Sequence, residues 1–276
     1  MASLDEFERE QAVLLELEST GRVVVSELAE RFGVSTVTVR KTLESLQRRN
    51  ALRRVRGGAV SSGVTDEGAF EVRVRHAARA KQAIARAVAQ EVDDGDAIAM
   101  DSSTSCYYLA LELLDRRNLV VITNGMRTAM LFMEQSSAMV LMPGGVLRRS
   151  AGSMVGPIGD VLAGRGRVDK GFFGLMGLSV SHGLLDIAVE EAMAKQYLAS
   201  ACERVYGLFD SSKVGKLGLH PFVAAERVYA LYTDDGIAPE AAASWRAIGV
   251  RVETVPVSES GPDGEQVAIL AAGVGG

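Results

Sequence analysis

The chain is poor in the residues from which disulfide frameworks, metal sites and membrane spans are built. Its 276 residues include two cysteines and three histidines, and aromatic residues make up 5%. Cys106 and Cys202 are too few for a disulfide framework, and neither has a cysteine or histidine at metal-ligand spacing. The sequence also lacks the roughly 18 consecutive apolar residues of a membrane helix, and its amino terminus lacks the features of a signal peptide. We therefore expect a folded protein of the reducing cytoplasm with no membrane association.

Motifs for common catalytic chemistries are missing as well. The sequence contains no GxSxG nucleophile elbow, no P-loop and no GxGxxG fingerprint. His76, His182 and His220 are far apart along the chain, and an isolated histidine is more often structural than catalytic. The segment 171–177, GFFGLMG, is better interpreted as a strand with close backbone packing than as a nucleotide-binding loop. We therefore predict no catalytic residues, no metal and no cofactor.

Basic charge is concentrated in one short segment of an acidic chain. The net charge is -5, yet residues 31–60 contain eight basic residues and one acidic residue, whereas residues 1–30 carry six more acids than bases. A local surplus of positive charge on one module is what contact with nucleic acid phosphates requires. The alternative is a small helical hairpin with a solvated basic face.

Residues 26–60 have the pattern of a winged helix-turn-helix. Ser26 is placed to cap a short helix that carries Phe32, and Gly33 supplies the left-handed residue at which the chain leaves that helix. Ser35 is then placed to cap a second helix after a tight turn. The order helix, turn, helix indicates a DNA-binding domain.

The second helix has one apolar face and one polar face. Val39, Leu43 and Leu46 form a single stripe for packing, whereas Lys41 projects the opposite way. Beyond the helix, two β-prone segments around a Gly-Gly pair predict a basic wing. The predicted DNA contacts are Ser35, Thr36, Val37, Thr38, Arg40, Lys41, Arg48, Arg53, Arg54 and Arg56.

The chain beyond this module alternates short apolar strands, small polar loops and helices. We predict a DNA-binding domain at 1–60, a linker at 61–70, a sensor domain at 71–257 and a flexible tail at 258–276. A helix from Glu71 to Glu91 is expected to lead into the second domain. Nearly continuous apolar strands that alternate with helices predict an α/β fold with a mainly parallel sheet covered on both faces.

Small and polar residues follow several of the predicted strands, where an α/β sheet binds its ligands. Hydroxyl groups and backbone donors at a helix start suit a phosphate, and glycines let a ligand approach the backbone. The predicted effector contacts are Asp101, Ser102, Ser103, Thr104, Ser105, Thr123, Asn124, Gly144, Gly145, Asp210 and Lys213.

A purely structural interpretation of these loops stays open. Serine and threonine also cap helices, and glycines also make turns. The pair Glu190–Glu191 near a predicted helix start has two interpretations as well, a surface or capping role and a ligand-facing role, and the former is preferred.

The motifs of the first domain resemble those of the DeoR family of bacterial repressors. Segments 32–35 (FGVS), 38–43 (TVRKTL) and 56–59 (RGGA) stand where that family usually has FGVS, TIRRDL and HGGA. Lys41 and Thr42 replace the usual arginine and aspartate. The resemblance implies an operator-binding winged helix-turn-helix.

The second domain resembles the sensor domain of the same family. The landmarks include segments 81–85, 101–105, 121–124, 144–145 and 210–213, and the resemblance covers about residues 5–236. It implies a fold similar to ribose-5-phosphate isomerase and a phosphorylated sugar or related metabolite as effector. The first loop departs from the family's usual DSGTT, because Ser103 replaces the glycine and Ser105 replaces the last threonine.

We therefore predict a DNA-binding transcriptional regulator, a repressor of carbohydrate-related genes, whose partners are a double-stranded DNA operator and a phosphorylated metabolite. Because a helix-turn-helix reads paired half-sites, we expect a homo-oligomer, a dimer or a tetramer. Two alternatives stay open. One is a phosphosugar isomerase-like enzyme that carries a DNA-binding module, and the other is a DNA-binding regulator with no small-molecule effector.

Overall fold

The structure, a computed structural model, describes residues 6–48, 52–61, 70–156, 168–216, 218–257 and 267. The chain divides into two units, Met1–Glu67 and Gly68–Gly276. Most of the predicted linker at 61–70 and of the predicted tail at 258–276 lies outside the described residues. Within those ranges, no helix is long and apolar enough to cross a membrane.

The described part of the first unit contains helices packed beside a small antiparallel sheet. Its elements are α1 (Glu6–Thr20), β1 (Arg22–Val24), α2 (Val25–Phe32), α3 (Thr36–Arg48), β2 (Leu52–Val55) and β3 (Gly58–Ser61). Strand β3 lies between β1 and β2 and is antiparallel to both. Because a β-hairpin follows α3, this unit has the predicted winged helix-turn-helix architecture.

The apolar stripe of α3 forms the core of this unit. Val39, Leu43 and Leu46 are buried, together with Leu28 of α2. Helix α2 ends at Gly33, which has a left-handed φ of 64°, and a residue with a Cβ is strained in that conformation. The stripe and the turn glycine are therefore confirmed.

The start of α2 differs from the sequence prediction. The helix begins at Val25, so Ser26 lies inside its first turn and does not cap it. The amide of Val25 instead donates to the carbonyl of Gly57 at 2.9 Å. An orphan donor of the first helical turn is thus satisfied by the turn of the wing.

The second unit is built on a seven-stranded sheet in which every pairing is parallel, in the order β15-β14-β12-β9-β4-β5-β6. Its strands are β4 (Ala97–Met100), β5 (Val120–Thr123), β6 (Met139–Leu141), β9 (Val168–Gly174), β12 (Cys202–Leu208), β14 (Val228–Asp234) and β15 (Arg251–Val255). The helices are α4 (Phe70–Arg75), α5 (Ala78–Val88), α6 (Thr104–Glu112), α7 (Met126–Gln135), α8 (Val189–Ser200) and α9 (Pro239–Ala247).

Two small antiparallel sheets accompany the large one. A hairpin is formed by β7 (Val146–Arg148) and β8 (Ser153–Val155), and a second sheet by β10 (Gly177–Ser179), β11 (Gly183–Asp186) and β13 (His220–Val223). These short strands were not predicted, because none of them lies in a continuous apolar run like those that identified β4, β5 and β6.

The large sheet separates two apolar cores. Ile98 and Met100 of β4 face a core shared with α4, α5, α6 and α7. Ala99, between them, faces a second core shared with α8 and α9. Successive strand residues point to opposite faces, so a strand buried on both faces is apolar throughout. The predicted α/β fold is confirmed.

The helix predicted from Glu71 to Glu91 is divided into α4 and α5. The chain breaks at Ala77, which has a left-handed φ of 49°. Lys81 lies buried beneath the break and donates to the carbonyls of Arg73 and His76 at 2.6 and 2.8 Å. The ammonium group therefore satisfies carbonyls that a continuous helix would have used itself.

Candidate functional site

The exposed face of α3 carries most of the residues predicted to contact DNA. Val37, Arg40, Lys41 and Arg48 are exposed, and Val37 is 57% exposed although it is apolar. An exposed apolar side chain on a recognition helix suits contact with a thymine methyl group.

The amino-terminal end of α3 is held by a side-chain cap. The amide of Thr38 donates to Ser35 Oγ at 3.1 Å, and the two hydroxyl oxygens lie 2.9 Å apart. The predicted cap is therefore confirmed. Ser35 and Thr36 are exposed, whereas Thr38 is half-buried, so the structure favours Ser35 and Thr36 over Thr38 for direct contact.

The wing presents Arg53, Arg54 and Arg56, all of which are exposed. Gly57 at its tip has a left-handed φ of 82°. Arg31 differs from these arginines, because its guanidinium pairs with Glu16 at 2.5 Å. Most of the exposed cations of the described first unit therefore lie on α3 and the wing.

The predicted effector residues lie together at one edge of the large sheet. Because all seven strands are parallel, their carboxyl ends meet at the same edge. The loops after β4, β5 and β6 hold Asp101–Ser105, Thr123–Asn124 and Gly144–Gly145, and Asp210 follows β12.

Asp101 is wholly buried and its carboxylate binds protein groups from three elements. Oδ1 accepts from the amide of Ser103 at 3.0 Å. Oδ2 accepts from the amide of Gly174 at 3.0 Å and lies 2.9 Å from Lys195 Nζ, which also binds Asp186 at 2.6 Å. Asp101 therefore fastens its loop to β9 and α8, and its role as an effector contact stays a prediction.

Ser103 caps α6, and its side chain packs against β9. Its Oγ accepts from the amide of Cys106 at 3.2 Å. A Cβ added to Gly174 would lie 2.4 Å from Ser103 Cβ, so the glycine is required by this close approach. In the described structure no hydrogen bond is found for the side chains of Thr104 and Ser105, which are the first residues of α6.

Cys106 cannot serve as a nucleophile in this environment. Its Sγ donates to the carbonyl of Phe172 at 3.2 Å, and burial raises the pKa of the thiol well above its usual range. Burial also raises the pKa of Cys202 to about 12. Both thiols are therefore protonated at neutral pH.

The loop after β5 lies against the loop after β4. A Cβ added to Gly125 would lie 2.9 Å from Ser102 Cα, so only glycine permits this spacing. Thr123 Oγ1 accepts from the Gly125 amide at 3.0 Å. Asn124 is wholly buried, and its Oδ1 accepts no hydrogen bond among the described residues.

The remaining predicted effector residues have mixed surroundings. Gly145 is needed for packing, since an added Cβ would lie 2.4 Å from the carbonyl oxygen of Val155. Asp210 accepts from Ser212 Oγ, and Lys213 Nζ lies 3.3 Å from Met176 Sδ. Asp210 and Lys213 follow β12 at the predicted edge of the sheet, where the strands have their carboxyl ends. In the strand order, β9 lies between β12 and β4, so these two residues are separated from the loop after β4.

The site also contains a residue for which a surface or capping role was preferred. Glu190 is exposed, but Glu191 is only 2% exposed, so for Glu191 that interpretation is wrong. Glu191 and Lys195 lie one turn apart on α8. The sequence contained a signal for this burial, namely two opposite charges at i and i+4 among small apolar residues. A charge on a buried helix face needs a partner.

Comparisons with known proteins agree with this two-part organisation. The model of the DeoR-like helix-turn-helix domain matches residues 9–64, and the model of the DeoR C terminal sensor domain matches residues 76–235. The chain is 31% identical to the "Uncharacterized HTH-type transcriptional regulator YulB" of Bacillus subtilis, over 92% of this chain and 98% of that protein. It is 27% identical to the glycerol-3-phosphate regulon repressor of Escherichia coli, over 82% of this chain and 90% of that protein.

Ribose 5-phosphate isomerase A from Neisseria gonorrhoeae is a structural neighbour with a TM-score of 0.38 and 12% identity, over 49% of this chain and 53% of that one. The sensor model alone spans more than half of the sequence, and the first relative spans nearly all of it. Family models and relatives describe transcriptional regulators, which removes the alternative of an isomerase-like enzyme. The chain belongs to the DeoR family of DNA-binding transcriptional regulators.

Proposed function

We propose that this regulator represses carbohydrate-related genes and that a phosphorylated sugar or related metabolite bound at the loop Asp101–Ser105 releases it from DNA. The observation that carries the proposal is the start of α6 at the carboxyl end of β4. Thr104 and Ser105 lie at that start with hydroxyl groups that bind no other described side chain. Helix amino termini of eight or more residues stabilise anions through free N–H groups and the helix dipole.

The DNA-binding step follows from the exposed residues of the first unit. Helix α3 enters the major groove, and Arg53, Arg54 and Arg56 of the wing bind phosphates. A homodimer or a tetramer supplies the paired helices that two half-sites require. We place the domain boundaries at 60 and 70, and the protein in the cytoplasm with its DNA.

The relatives support a phosphorylated effector without identifying it. One relative is by its name a repressor of a glycerol-3-phosphate regulon, so a three-carbon phosphate ester belongs in the first panel of compounds. A ligand shifts the DNA-binding equilibrium only through its different affinities for the free and the DNA-bound states.

The test combines ligand binding with operator release. The operator is first selected from random DNA with the full-length protein. A thermal-shift screen then compares phosphorylated sugars and polyols with their unphosphorylated counterparts. A true effector stabilises the protein by about 2.7 kcal/mol at a hundredfold excess over Kd, and it releases the selected DNA in a gel shift.

Thr104→Asp is the informative variant, because it places a carboxylate where the phosphate is expected. It should bind the operator with wild-type affinity and fail to respond to the effector. The control is Glu190→Gln, on the exposed face of α8. Because Thr104 is itself buried, thermal unfolding without ligand must first show that Thr104→Asp folds. A wild-type response of the Thr104 variant would place the effector elsewhere.

A second candidate, a regulator with no small-molecule effector, is favoured by one observation. Ser103 Oγ accepts the hydrogen bond of the Cys106 amide, and the Ser103 side chain fills the space above Gly174. One backbone donor at the start of α6 is therefore not available to a ligand. If no phosphorylated compound stabilises the protein or releases DNA, this candidate replaces the first.

A further inference from the structure

Glu191 of α8 binds side chains from both loops at the proposed effector site. Its Oε2 accepts from Ser102 Oγ at 3.3 Å and from Asn124 Nδ2 at 3.4 Å. Ser102 follows β4 and Asn124 follows β5, so one carboxylate orients a residue on each loop.

The carboxylate is itself held from the opposite side. Its Oε1 lies 2.9 Å from Arg148 Nη1 of β7, and it also accepts from Ser153 Oγ of β8. Ser153 is wholly buried. Because two donors fix Oε1, the position of Oε2 against Ser102 and Asn124 is set by the protein before any ligand arrives.

Asn124 is left with an unused acceptor. Both hydrogens of its amide are engaged, one with the carbonyl of Met154 at 3.3 Å and the other with Glu191. Its Oδ1 is buried and has no hydrogen-bond partner among the described residues. An ionised carboxylate and a carbonyl only accept hydrogen bonds, so Glu191 and the Met154 carbonyl together determine that the oxygen of the amide, and not its nitrogen, is left for a ligand.

Ser102 is oriented in the same sense. A serine hydroxyl has one hydrogen to donate and two lone pairs that accept. Since that hydrogen is directed to Glu191, what remains on Ser102 Oγ is acceptor capacity. Both residues that Glu191 orients are thereby made acceptors, and a buried acceptor without a donor is unfavourable.

We propose that Glu191 is a positioning residue that makes Asn124 Oδ1 and Ser102 Oγ an accepting subsite for a hydroxyl group of the effector, beside the phosphate at Thr104 and Ser105. This assignment rests on the proposed function of the loop Asp101–Ser105. It deepens that function by assigning the protein groups that recognise a hydroxyl group of the phosphate ester. A second phosphate or a carboxylate is excluded from the subsite. Its oxygens cannot donate to Asn124 Oδ1 or Ser102 Oγ, and its negative charge would be repelled by Glu191.

The first experiment varies the ligand and leaves the wild-type chain unchanged. Calorimetry compares glycerol 3-phosphate with propyl phosphate, and ribitol 5-phosphate with pentyl phosphate. Each pair has the same carbon chain length and the same phosphate, and differs in its hydroxyl groups. We expect a hydroxylated ester to bind about three- to tenfold more tightly than its alkyl partner, which is the effect of one net hydrogen bond.

The second experiment changes the positioning residue. Glu191→Gln keeps the size of the side chain but can donate, so the Ser102 hydroxyl is no longer directed and the Asn124 amide is held by the Met154 carbonyl alone. The affinity ratio within each pair should fall toward one, while binding of the alkyl esters is retained. Glu190→Gln, the exposed neighbour on the same helix, should keep the wild-type ratio.

The outcomes separate this inference from the function on which it rests. Equal binding of the two esters of each pair by wild-type protein would overturn the hydroxyl subsite and leave the phosphate site in place. An equal loss of affinity for all esters in Glu191→Gln would make Glu191 merely structural. If that variant does not fold, the ligand pairs on the wild-type chain decide alone. Failure of every ester to bind would overturn the proposed function itself.

Discussion

The two units present their functional residues in opposite ways. In the first unit, nine of the ten predicted DNA contacts are exposed, and Thr38 is half-buried. In the second unit, Asp101, Thr123 and Asn124 are wholly buried and bind neighbouring protein groups. DNA contact uses solvated cations that release counterions from phosphates. A small-ligand site has to keep its polar groups oriented before the ligand arrives, and buried polar groups need partners to remain there.

This difference predicts where charge removal is most damaging. Removing an exposed cation should weaken binding and leave folding unchanged, whereas removing a buried cation should affect folding first. The following changes test the contrast, from the largest expected effect to the smallest.

Lys195→Met tests the buried side of the comparison. Lys195 Nζ lies between Asp101 and Asp186, at 2.9 and 2.6 Å, and donates to the carbonyl of Gly174 at 2.9 Å. Without the ammonium group, two wholly buried carboxylates share one site without a counter-charge. Breaking a buried pair in this way costs about 3 to 5 kcal/mol. Urea unfolding of the full chain should show this loss in the second unit.

The matched control for this variant is Lys216→Met, because Lys216 is exposed and its Nζ lies 3.5 Å from Ser212 Oγ, a solvent-exposed contact. We expect its unfolding midpoint to differ little from that of the wild type. If Lys195→Met were as stable as the control, the buried network would contribute nothing to the fold, and the contrast between the units would fail.

Arg40→Ala tests the exposed side. Arg40 projects from α3 away from the buried stripe, and loss of one base contact costs about 1 to 3 kcal/mol of operator affinity. Thermal unfolding should be unchanged, while gel shifts with the selected operator show weaker binding and relaxed sequence preference. We expect the same of Lys41→Ala. Lys216→Met, the exposed cation of the second unit used above, is the control. Wild-type affinity of both α3 variants would show that α3 does not bind the operator bases.

The same contrast explains how much the sequence revealed. The winged helix-turn-helix was predictable because its signals are local, as with the stripe of Val39, Leu43 and Leu46 within one helix. Even there the prediction that Ser26 caps α2 was wrong, because the Val25 amide at the start of α2 donates to the distant carbonyl of Gly57. In the sensor, the strand ends and the residues after them were predictable from apolar runs, and so was a mainly parallel sheet.

The polar cluster around Glu191 was not predictable in the same way. Its partners Ser102 and Asn124 lie 89 and 67 residues away along the chain, and periodicity carries no information on such pairings. The hairpin of Arg148 and Ser153 supplies the other partners, and its strands are not continuous apolar runs that the sequence would reveal. The sequence predicted that polar residues lie at the ends of the strands. It did not predict which of these residues hydrogen-bond to each other.

Removal of wing arginines tests a smaller, sequence-independent effect. Each of Arg53, Arg54 and Arg56 is expected to neutralise one phosphate, so each alanine substitution should lower the log-log salt slope by about 0.9 and the affinity at 0.15 M salt by about fivefold. All DNA sequences should be affected alike, unlike the effect of Arg40→Ala. A triple variant with the wild-type slope would remove the wing from the interface.

The smallest effect is expected at a polar cluster of the second unit that lies apart from the effector loops. Glu91 accepts from Tyr232 at 2.6 Å, from Tyr206 at 3.1 Å and from Arg251 at 2.5 Å. Burial alone would raise the pKa of Glu91, but hydrogen bonds from Tyr232 and Arg251 and the charge of Arg251 hold it below its usual value.

A carboxyl group whose pKa is lower in the folded state contributes stability above its unfolded pKa, here near the ordinary value of 4.5. That contribution is lost as the pH falls through the folded-state value. Arg251 is 40% exposed, and solvent screens such pairs, so the effect should stay below about 1 kcal/mol. Unfolding free energies at pH 7 and at pH 4 should therefore differ less in Glu91→Gln than in the wild type. Glu226→Gln, at an exposed position, should keep the wild-type difference, and an unchanged difference in Glu91→Gln would mean that this cluster does not couple folding to acid.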